Sequence, residues 1–288
     1  MRSKAVALDL WTLTKPGITR LVLVTAAVGF YLGSSGGFDG IPLFHALLGT
    51  GLLAAGTNAL NQYAERRVDA AMKRTAKRPL PAGRLRAPTA LAFSAGISVA
   101  GFVYLMALVN TLTAALGAAA LLIYIFVYTP LKRRSWLCTL VGAVPGAIPP
   151  LMGWTAATGR LDPPAWVLFG IVFLWQMPHF YAIGWMYRQD YARAGFPMLP
   201  VLDDEGTRTA RQIVLYTLAL LAVSLLTTVM GLTGALYLFG ALTLGLAFLG
   251  LGLVLAAART GLNARRLFLG SVIYLPILLL LMVADKQI

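Results

Sequence analysis

Charged residues are scarce in this 288-residue chain. Only 12% of its residues are Asp, Glu, Lys or Arg, and 59% are hydrophobic, whereas about a quarter of an ordinary soluble domain is charged. This composition excludes a soluble globular domain and indicates a protein that lies in a lipid bilayer. Cysteine is rarer still, because Cys138 is the only one. An internal disulfide is therefore impossible, and a metal site with several cysteine ligands is excluded.

Long apolar segments are what the chain has in abundance. A membrane-spanning helix needs about 20 mostly apolar residues, and turn residues or charges separate nine such segments here. We predict nine transmembrane helices centred near residues 28, 52, 99, 121, 146, 175, 221, 247 and 275. The predicted fold is all-α, a polytopic helical bundle formed by a single transmembrane domain over residues 1–288, without a soluble domain.

Basic residues greatly outnumber acidic ones, with 24 against 10 and a net charge of +14. On a nine-span chain, 22 of the 24 fall in connections on one side of the membrane, and only Arg160 and Lys286 fall on the other. Basic loops remain in the cytoplasm, so we predict a cytoplasmic amino terminus, cytoplasmic polar loops and a carboxyl terminus outside. The charges form no soluble basic face, so the expected partner is the lipid bilayer and not nucleic acid.

Asn61, Glu65 and Asp69 follow one another at four-residue spacing where the second apolar helix ends. Side chains four residues apart lie on one face of a helix, so these three form a column of oxygen ligands. Such ligands, with positions left for water and phosphate, suit magnesium held against a diphosphate. The alternative is a solvated helix end that pairs with Arg66 and Arg67.

Basic residues directly after this column favour the first interpretation. They are Lys73, Arg74, Lys77 and Arg78. Arginine binds phosphate oxygens with two parallel hydrogen bonds, and lysine acts as a point charge. A metal column beside such cations is what a diphosphate requires.

The run from Asn61 to Leu85 resembles the first signature loop of the UbiA superfamily of intramembrane prenyltransferases. Its details are similar to those of the members that farnesylate haem B. Together with this run, the further matching motifs extend from residue 15 to about residue 201 and make a highly specific combination: Lys15–Thr19, Tyr128–Arg133, Gly142–Trp154, Trp175–Phe180 and Asp190–Val201. The last third of the chain carries no such motif.

The resemblance implies a UbiA-like bundle in the bacterial cell membrane, with active-site loops on its cytoplasmic side. It implies that farnesyl diphosphate donates its chain to a vinyl group of haem B, with addition of water, to give haem O. Magnesium is the implied cofactor, and haem B is a substrate rather than a permanent cofactor. A haem A synthase or a terminal oxidase assembly would be a partner of such an enzyme.

The resemblance also assigns roles to residues. Magnesium ligands would be Asn61, Glu65, Asp69 and Asp190. Diphosphate oxygens would be neutralised by Arg74, Lys77 and Arg78, joined by Lys132 and Arg133, for which membrane anchoring is the alternative. The haem pocket would include Lys15, Tyr128, Trp175, His179 and Phe180.

The second signature of the superfamily is where this chain departs from the usual pattern. The sixth helix and the loop after it offer His179, Gln189 and Asp190 instead of an aspartate-rich motif. Asp190 is the only carboxylate of the three. A lone histidine in an apolar run is more often a core residue than a ligand, but imidazole is also a common axial ligand of haem iron and a proton-transfer group.

Two other functions remain open. One is a UbiA-type prenyltransferase that acts on an aromatic acid or a quinone precursor, and the other is a haem carrier or transporter without catalysis. The missing second aspartate motif disfavours the former. The magnesium column beside phosphate-binding residues disfavours the latter, because a carrier has no need of it.

Overall fold

The computed structural model describes residues 2–35 and 39–287 and is built from helices. Nine helical segments of the described chain are long and apolar enough to cross a membrane, which confirms the predicted number. They are α2 (Pro16–Gly33), α3 (Gly40–Asp69), α4 (Ala87–Leu108), α5 (Thr111–Leu122) with its continuation to Leu131, α7 (Cys138–Thr158), α8 (Pro163–Met186), α11 (Thr207–Val229), α12 (Ala235–Ala257) and α13 (Gly261–Ala284).

The described residues also form shorter α-helices: α1 (Arg2–Leu13), α9 (Arg188–Arg193), α10 (Leu199–Leu202) and α6 (Thr129–Leu131), which is the last turn of the fifth span. Of these, α9 and α10 lie within the connection between α8 and α11. That connection, the loop after α3 and the loop after α6 all lie at one end of the bundle, which we call the loop end.

Polar residues fix where several helices begin. The Asp39 side chain accepts a hydrogen bond from the backbone of Ile41 at the start of α3, and Asn110 accepts one from Thr113 at the start of α5. Thr260 caps α13 in the same way through Asn263. Such caps satisfy amide groups that have no partner within the helix.

The centre of the bundle is formed by α7 and α8, which are more buried than the other spans. Helix α2 packs against α7 with almost no side chain between the two backbones. A Cβ atom added at Gly153 would overlap the carbonyl oxygen of Ala26, and one added at Gly29 would overlap that of Pro150. Small residues permit this close approach in a bilayer.

Helices α11, α12 and α13 pack on α8 and extend its apolar core. Their buried members include Ile213, Leu220, Phe248 and Leu267, which belong to the same cluster as Trp175 on α8. Helix α13 therefore packs on α8 beside the cavity described below, and its Leu275 forms part of the cavity wall.

The fifth span changes its winding near the loop end. Residues Ile123–Tyr128 form a π-helix between α5 and α6. A π-helical turn inserts an extra residue per turn and is frequent at functional sites. Here it carries Tyr124 and Tyr128, and both side chains line the cavity.

Candidate active site

A cavity of about 410 Å³ extends from the loop end into the bundle. Helices α2, α3, α7 and α8 supply most of its wall, and the π-helical segment supplies Tyr124 and Tyr128. The structure brings eleven of the predicted site residues together around it: Lys15, Asn61, Glu65, Asp69, Arg74, Arg78, Tyr128, Lys132, Trp175, His179 and Phe180.

Helix α3 carries the predicted oxygen column at its final turns. Its 30 residues make a helix about 45 Å long, which exceeds the roughly 30 Å of a bilayer's apolar core. Asn61, Glu65 and Asp69 are 2%, 7% and 1% exposed. A solvated helix end would expose these side chains, so the structure disagrees with the alternative of a solvated surface.

Asn61 is held with its side-chain carbonyl oxygen toward the charged groups of the cavity. Its Nδ2 donates to Thr129 Oγ1 at 3.2 Å, and its Oδ1 accepts from Lys15 Nζ at 2.9 Å. The Thr129 hydroxyl in turn donates to the carbonyl of Tyr124. This chain of bonds fixes which end of the carboxamide is available to a cation.

The two carboxylates of the column each have a cationic partner. Lys132 Nζ lies 3.1 and 3.2 Å from the two oxygens of Glu65, and Arg78 donates to Asp69 Oδ2 at 2.7 Å. Burial alone would lower the pKa of Lys132, but the Glu65 carboxylate, together with the neighbouring Tyr191 and Tyr124, outweighs burial and raises that pKa above its ordinary value. Lys132 is therefore charged in this arrangement.

Lys15 adopts an unusual backbone conformation directly before α2. Its φ angle is +49°, in the left-handed region that non-glycine residues seldom occupy. Burial, reinforced by the charge of Arg78, lowers the pKa of Lys15 to about 7. The family resemblance implied that Lys15 lies in a haem pocket. In the structure its ammonium group donates a hydrogen bond to the amide oxygen of Asn61.

The column fits a magnesium ion by its donor chemistry. Asp69 Oδ1 is buried without a hydrogen-bond partner, which is costly unless a cation or donor completes it. Asn61 Oδ1 and the oxygens of Glu65 now accept from ammonium groups. Within the described residues, no three His, Cys, Asp or Glu side chains form a metal-binding group, so phosphate or water oxygens would have to complete a magnesium shell.

Positive charge exceeds negative charge around this end of the cavity. Arg74, Arg78 and Lys132, joined by Lys15 when it is protonated, face only two carboxylates there. An excess of buried positive charge is unfavourable unless an anion compensates it. The loop end of the cavity is therefore suited to a ligand that carries several negative charges.

The interior end of the cavity is apolar. Leu53, Gly117 and Met152 line it, and Leu53 and Met152 belong to one buried cluster with Ile148. A Cβ atom at Gly117 would lie 2.5 Å from Leu53 Cδ2 and 2.9 Å from Met152 Cε. The cavity thus joins an anion-binding end to an end that suits a hydrocarbon chain.

Aromatic rings line the region between these two ends. The rings of Tyr124 and Tyr128 lie 5.0 Å apart, and Tyr128 packs on Gly142, where a Cβ would lie 2.6 Å from its ring. Gly146 makes room in the same way for the side-chain amide of Gln176. The two glycines of α7 therefore pack against residues of the cavity wall.

His179 faces the cavity from α8. Its ring lies 5.0 Å from that of Trp175 and 5.1 Å from that of Phe268, and its Nδ1 lies 2.7 Å from Ser271 Oγ on α13. The imidazole is thus held on several sides by aromatic rings and by one hydroxyl.

Three predicted residues do not line the cavity: Lys77, Arg133 and Asp190. Asp190 instead pairs with Arg193, which is one turn further along α9. Their assigned roles in metal or diphosphate binding stay predictions.

An apolar cluster joins the loops at this end of the bundle. Its members are Met72, Cys138, Tyr191, Phe196 and Met198. They come from the loop after α3, the start of α7 and the connection after α8. Cys138 is fully buried, with its Sγ 3.5 Å from Met198 Sδ.

Comparison with known proteins agrees with this geometry. Residues 22–278 match the model of the UbiA prenyltransferase family. The chain belongs to the UbiA prenyltransferase family. This family assignment and the nine apolar helices make it a multi-pass membrane protein.

Among other members, the chain is 51% identical to a protein of Solibacter usitatus named protoheme IX farnesyltransferase, over 96% of this chain and 98% of that one. It is 47% identical to a protein of the same name from Salinibacter ruber, with the same coverage. The solved structure of a UbiA homologue from Archaeoglobus fulgidus bound to GPP and Mg²⁺ has the same fold, with a TM-score of 0.69 and 13% identity over 95% of this chain and 99% of that chain.

Two residues of the site were not singled out by the sequence: Gln176 in the cavity wall and Ser271 behind His179. Ser271 lies in the last third, where no motif occurs, and Gln176 was part of a motif without a role of its own. Gln176 Nε2 donates to the carbonyl oxygen of Ala143 on α7 at 3.1 Å. A glutamine inside an apolar helix is a usable signal, whereas a single serine is too common in such helices to be one.

Proposed function

We propose that this member of the UbiA prenyltransferase family transfers the farnesyl group of farnesyl diphosphate to a vinyl group of haem B to give haem O. The observation that supports this proposal most strongly is the cavity. One end holds the column of Asn61, Glu65 and Asp69 among cationic side chains, and the other end is apolar. We infer that the acceptor is haem B from the name of the Solibacter and Salinibacter relatives, protoheme IX farnesyltransferase.

The diphosphate would bind at the loop end of the cavity. Arg74, Arg78 and Lys132 offer charge-assisted hydrogen bonds to its oxygens. Asn61, Glu65 and Asp69 would hold magnesium, as a donor set of hard oxygens suits this ion, and the Archaeoglobus homologue binds Mg²⁺ with a prenyl diphosphate. Bound magnesium would lower the energy of the negative charge that builds on the leaving diphosphate.

The farnesyl chain would occupy the apolar interior, with Leu53, Gly117 and Met152 at its far end. As the bond between C1 of the chain and the diphosphate oxygen breaks, C1 develops positive charge. The rings of Tyr124 and Tyr128 are placed to stabilise that charge by cation–π attraction. An interior wall of apolar side chains excludes water that would otherwise capture it.

The acceptor step then balances with one water molecule. The terminal vinyl carbon of haem B forms the new bond to C1, which leaves positive charge on the carbon next to the porphyrin ring. Water adds to that carbon and loses a proton, and the product carries a hydroxyethylfarnesyl group. Diphosphate is the other product.

We further propose that residues 1–288 act as one domain in the bacterial cell membrane, with the amino terminus and the loop end in the cytoplasm. The uneven distribution of Lys and Arg supports this orientation. Delivery of haem O to a haem A synthase or a terminal oxidase assembly stays a prediction.

Incubation of the purified protein in detergent with haem B, farnesyl diphosphate and magnesium tests the proposal. We expect a haem product whose mass has increased by one farnesyl group and one hydroxyl group, and no product in a matched reaction with a chelator. Unchanged haem from folded protein would contradict haem farnesylation. Aromatic acids and quinone precursors would then be tested as acceptors, and binding without turnover of any prenyl donor would favour a carrier.

A further inference from the structure

His179 and Ser271 make a pair whose hydrogen bonds determine the state of the imidazole. Ser271 is fully buried on α13, and its Oγ lies 2.7 Å from His179 Nδ1. The same Oγ lies 2.5 Å from the backbone carbonyl oxygen of Phe268. A carbonyl oxygen can only accept, so the single hydroxyl proton of Ser271 is donated to Phe268.

The serine oxygen must then accept the hydrogen bond from His179. Nδ1 therefore carries the proton, and in a neutral imidazole Nε2 is left with a lone pair. In the part of the chain that the structure describes, no protein group bonds to Nε2, and the side chain faces the cavity. The result is an unused, directed electron-pair donor in the cavity wall.

A second contact holds Ser271 itself. Trp175 Nε1 donates to the backbone carbonyl oxygen of Ser271 at 2.8 Å, and the Trp175 ring stacks on the imidazole with an interplanar angle of 24°. The pair is therefore braced from α8 and α13 together. An imidazole fixed by a hydrogen bond to its other nitrogen is the arrangement by which proteins orient histidine ligands of metals.

We propose that Nε2 of His179 is an axial ligand of the iron of bound haem, and that Ser271 is the positioning residue that fixes its tautomer and direction. This inference rests on the proposed function for the identity of the porphyrin. It adds a role for a helix that carries none of the recognised motifs.

Haem binding without farnesyl diphosphate tests the pair separately from catalysis. Ferric haem is titrated into the purified protein in detergent, and the Soret band is followed. Metal-free protoporphyrin IX, which has the same shape without iron, is titrated in parallel by its fluorescence. We expect the wild type to shift the Soret band as histidine-ligated haem does.

The variants should separate iron ligation from shape. His179→Ala should lose the shift, and added imidazole should restore it. Ser271→Ala should lower haem affinity by about 10- to 100-fold, while its affinity for metal-free protoporphyrin stays unchanged. Ser271→Thr retains the hydroxyl and should retain the Soret shift.

Ser94→Ala is the matched control, because Ser94 is also fully buried and bonds the carbonyl four residues before it, outside the cavity. It should bind both porphyrins like the wild type. Equal losses for haem and metal-free porphyrin in Ser271→Ala would overturn iron ligation and leave a packing role.

A wild-type protein that leaves the haem spectrum unperturbed would overturn the inference as well. Product analysis is run on the same preparation. If farnesylated haem is formed and the His179 and Ser271 variants give the same haem spectrum as the wild type, iron ligation is refuted and the proposed function stands. Histidine-type haem spectra without product refute the function and preserve the ligand.

Discussion

The helices that line the cavity differ in composition from the three at the end of the chain. The spans containing α2, α3, α7 and α8 have mean hydropathies of 1.2 to 1.4, whereas those containing α11, α12 and α13 have 2.0 to 2.6. The first group places amides, carboxylates and glycines in the interior of the bundle, and the second packs apolar side chains behind it. Ser271 is an exception, because it contacts the cavity wall from the second group.

The largest expected effect is a loss of activity when the buried carboxylate at the cavity is neutralised, with a carboxylate in the other region as its control. Asp69→Asn removes the charge of the buried oxygen that has no protein partner, and we expect kcat to fall by about 10²- to 10³-fold. Asp285→Asn is the counterpart beyond α13, where Asp285 Oδ2 accepts from the amide of Tyr237 at 2.7 Å. It should cost about 1 kcal/mol of stability, as loss of a helix cap does, and leave turnover unchanged.

Haem O formation and thermal unfolding in detergent are measured on both variants. Equal turnover in Asp69→Asn and the wild type would refute the metal column and with it the contrast between the two regions.

The second prediction concerns glycine in each group of helices. Gly153→Ala forces a Cβ into the backbone of α2, and we expect the free energy of unfolding to fall by about 3 kcal/mol. Gly250→Ala on α12 meets no atom within 4 Å and should be neutral or stabilising by up to about 1 kcal/mol. Reversible unfolding in mixed micelles measures both, and similar losses in the two variants would show that the close α2–α7 contact is unimportant.

The third prediction concerns the apolar end of the cavity. Met152→Ala enlarges the cavity beyond Gly117, so kcat/KM for geranylgeranyl diphosphate relative to farnesyl diphosphate should rise by about 10-fold. Met230→Ala, at the exposed end of α11, should leave the ratio unchanged. Competition between the two donors in one reaction gives a ratio that does not depend on the fraction of protein that is folded. An unchanged ratio in Met152→Ala would show that the end of the prenyl chain lies elsewhere.

The smallest effect is expected where a predicted site residue lies outside the cavity. Asp190→Asn should change kcat by less than about 3-fold, because Asp190 pairs with Arg193 at the surface of α9 and exposed pairs contribute little. Lys132→Ala, in contrast, leaves Glu65 buried without its partner, and we expect a loss of about 10²-fold. A loss of that size in Asp190→Asn, with raised magnesium requirement, would restore Asp190 as a metal ligand.

Much of the fold was predictable because hydrophobicity over 20 residues is a strong signal. The same holds for Asn61, Glu65 and Asp69, since helical spacing alone puts them on one face. The contact of Lys15 with Asn61 was not predictable, because it joins residues 46 apart across two helices. Ser271 was missed for a related reason. Its hydroxyl bonds a carbonyl of its own helix, as many helical serines do, so nothing in the sequence indicates that it also contacts His179.

The apolar cluster at the loop end has a consequence for how this region opens. Met72 on one connection and Phe196 and Met198 on another share a buried interior with Cys138, so neither connection can leave its place without exposing the other's apolar surface. Segments that share such an interior unfold as one cooperative unit. Backbone amides of residues 70–86 and 187–202 should therefore exchange their hydrogens for deuterium together, in a single opening event.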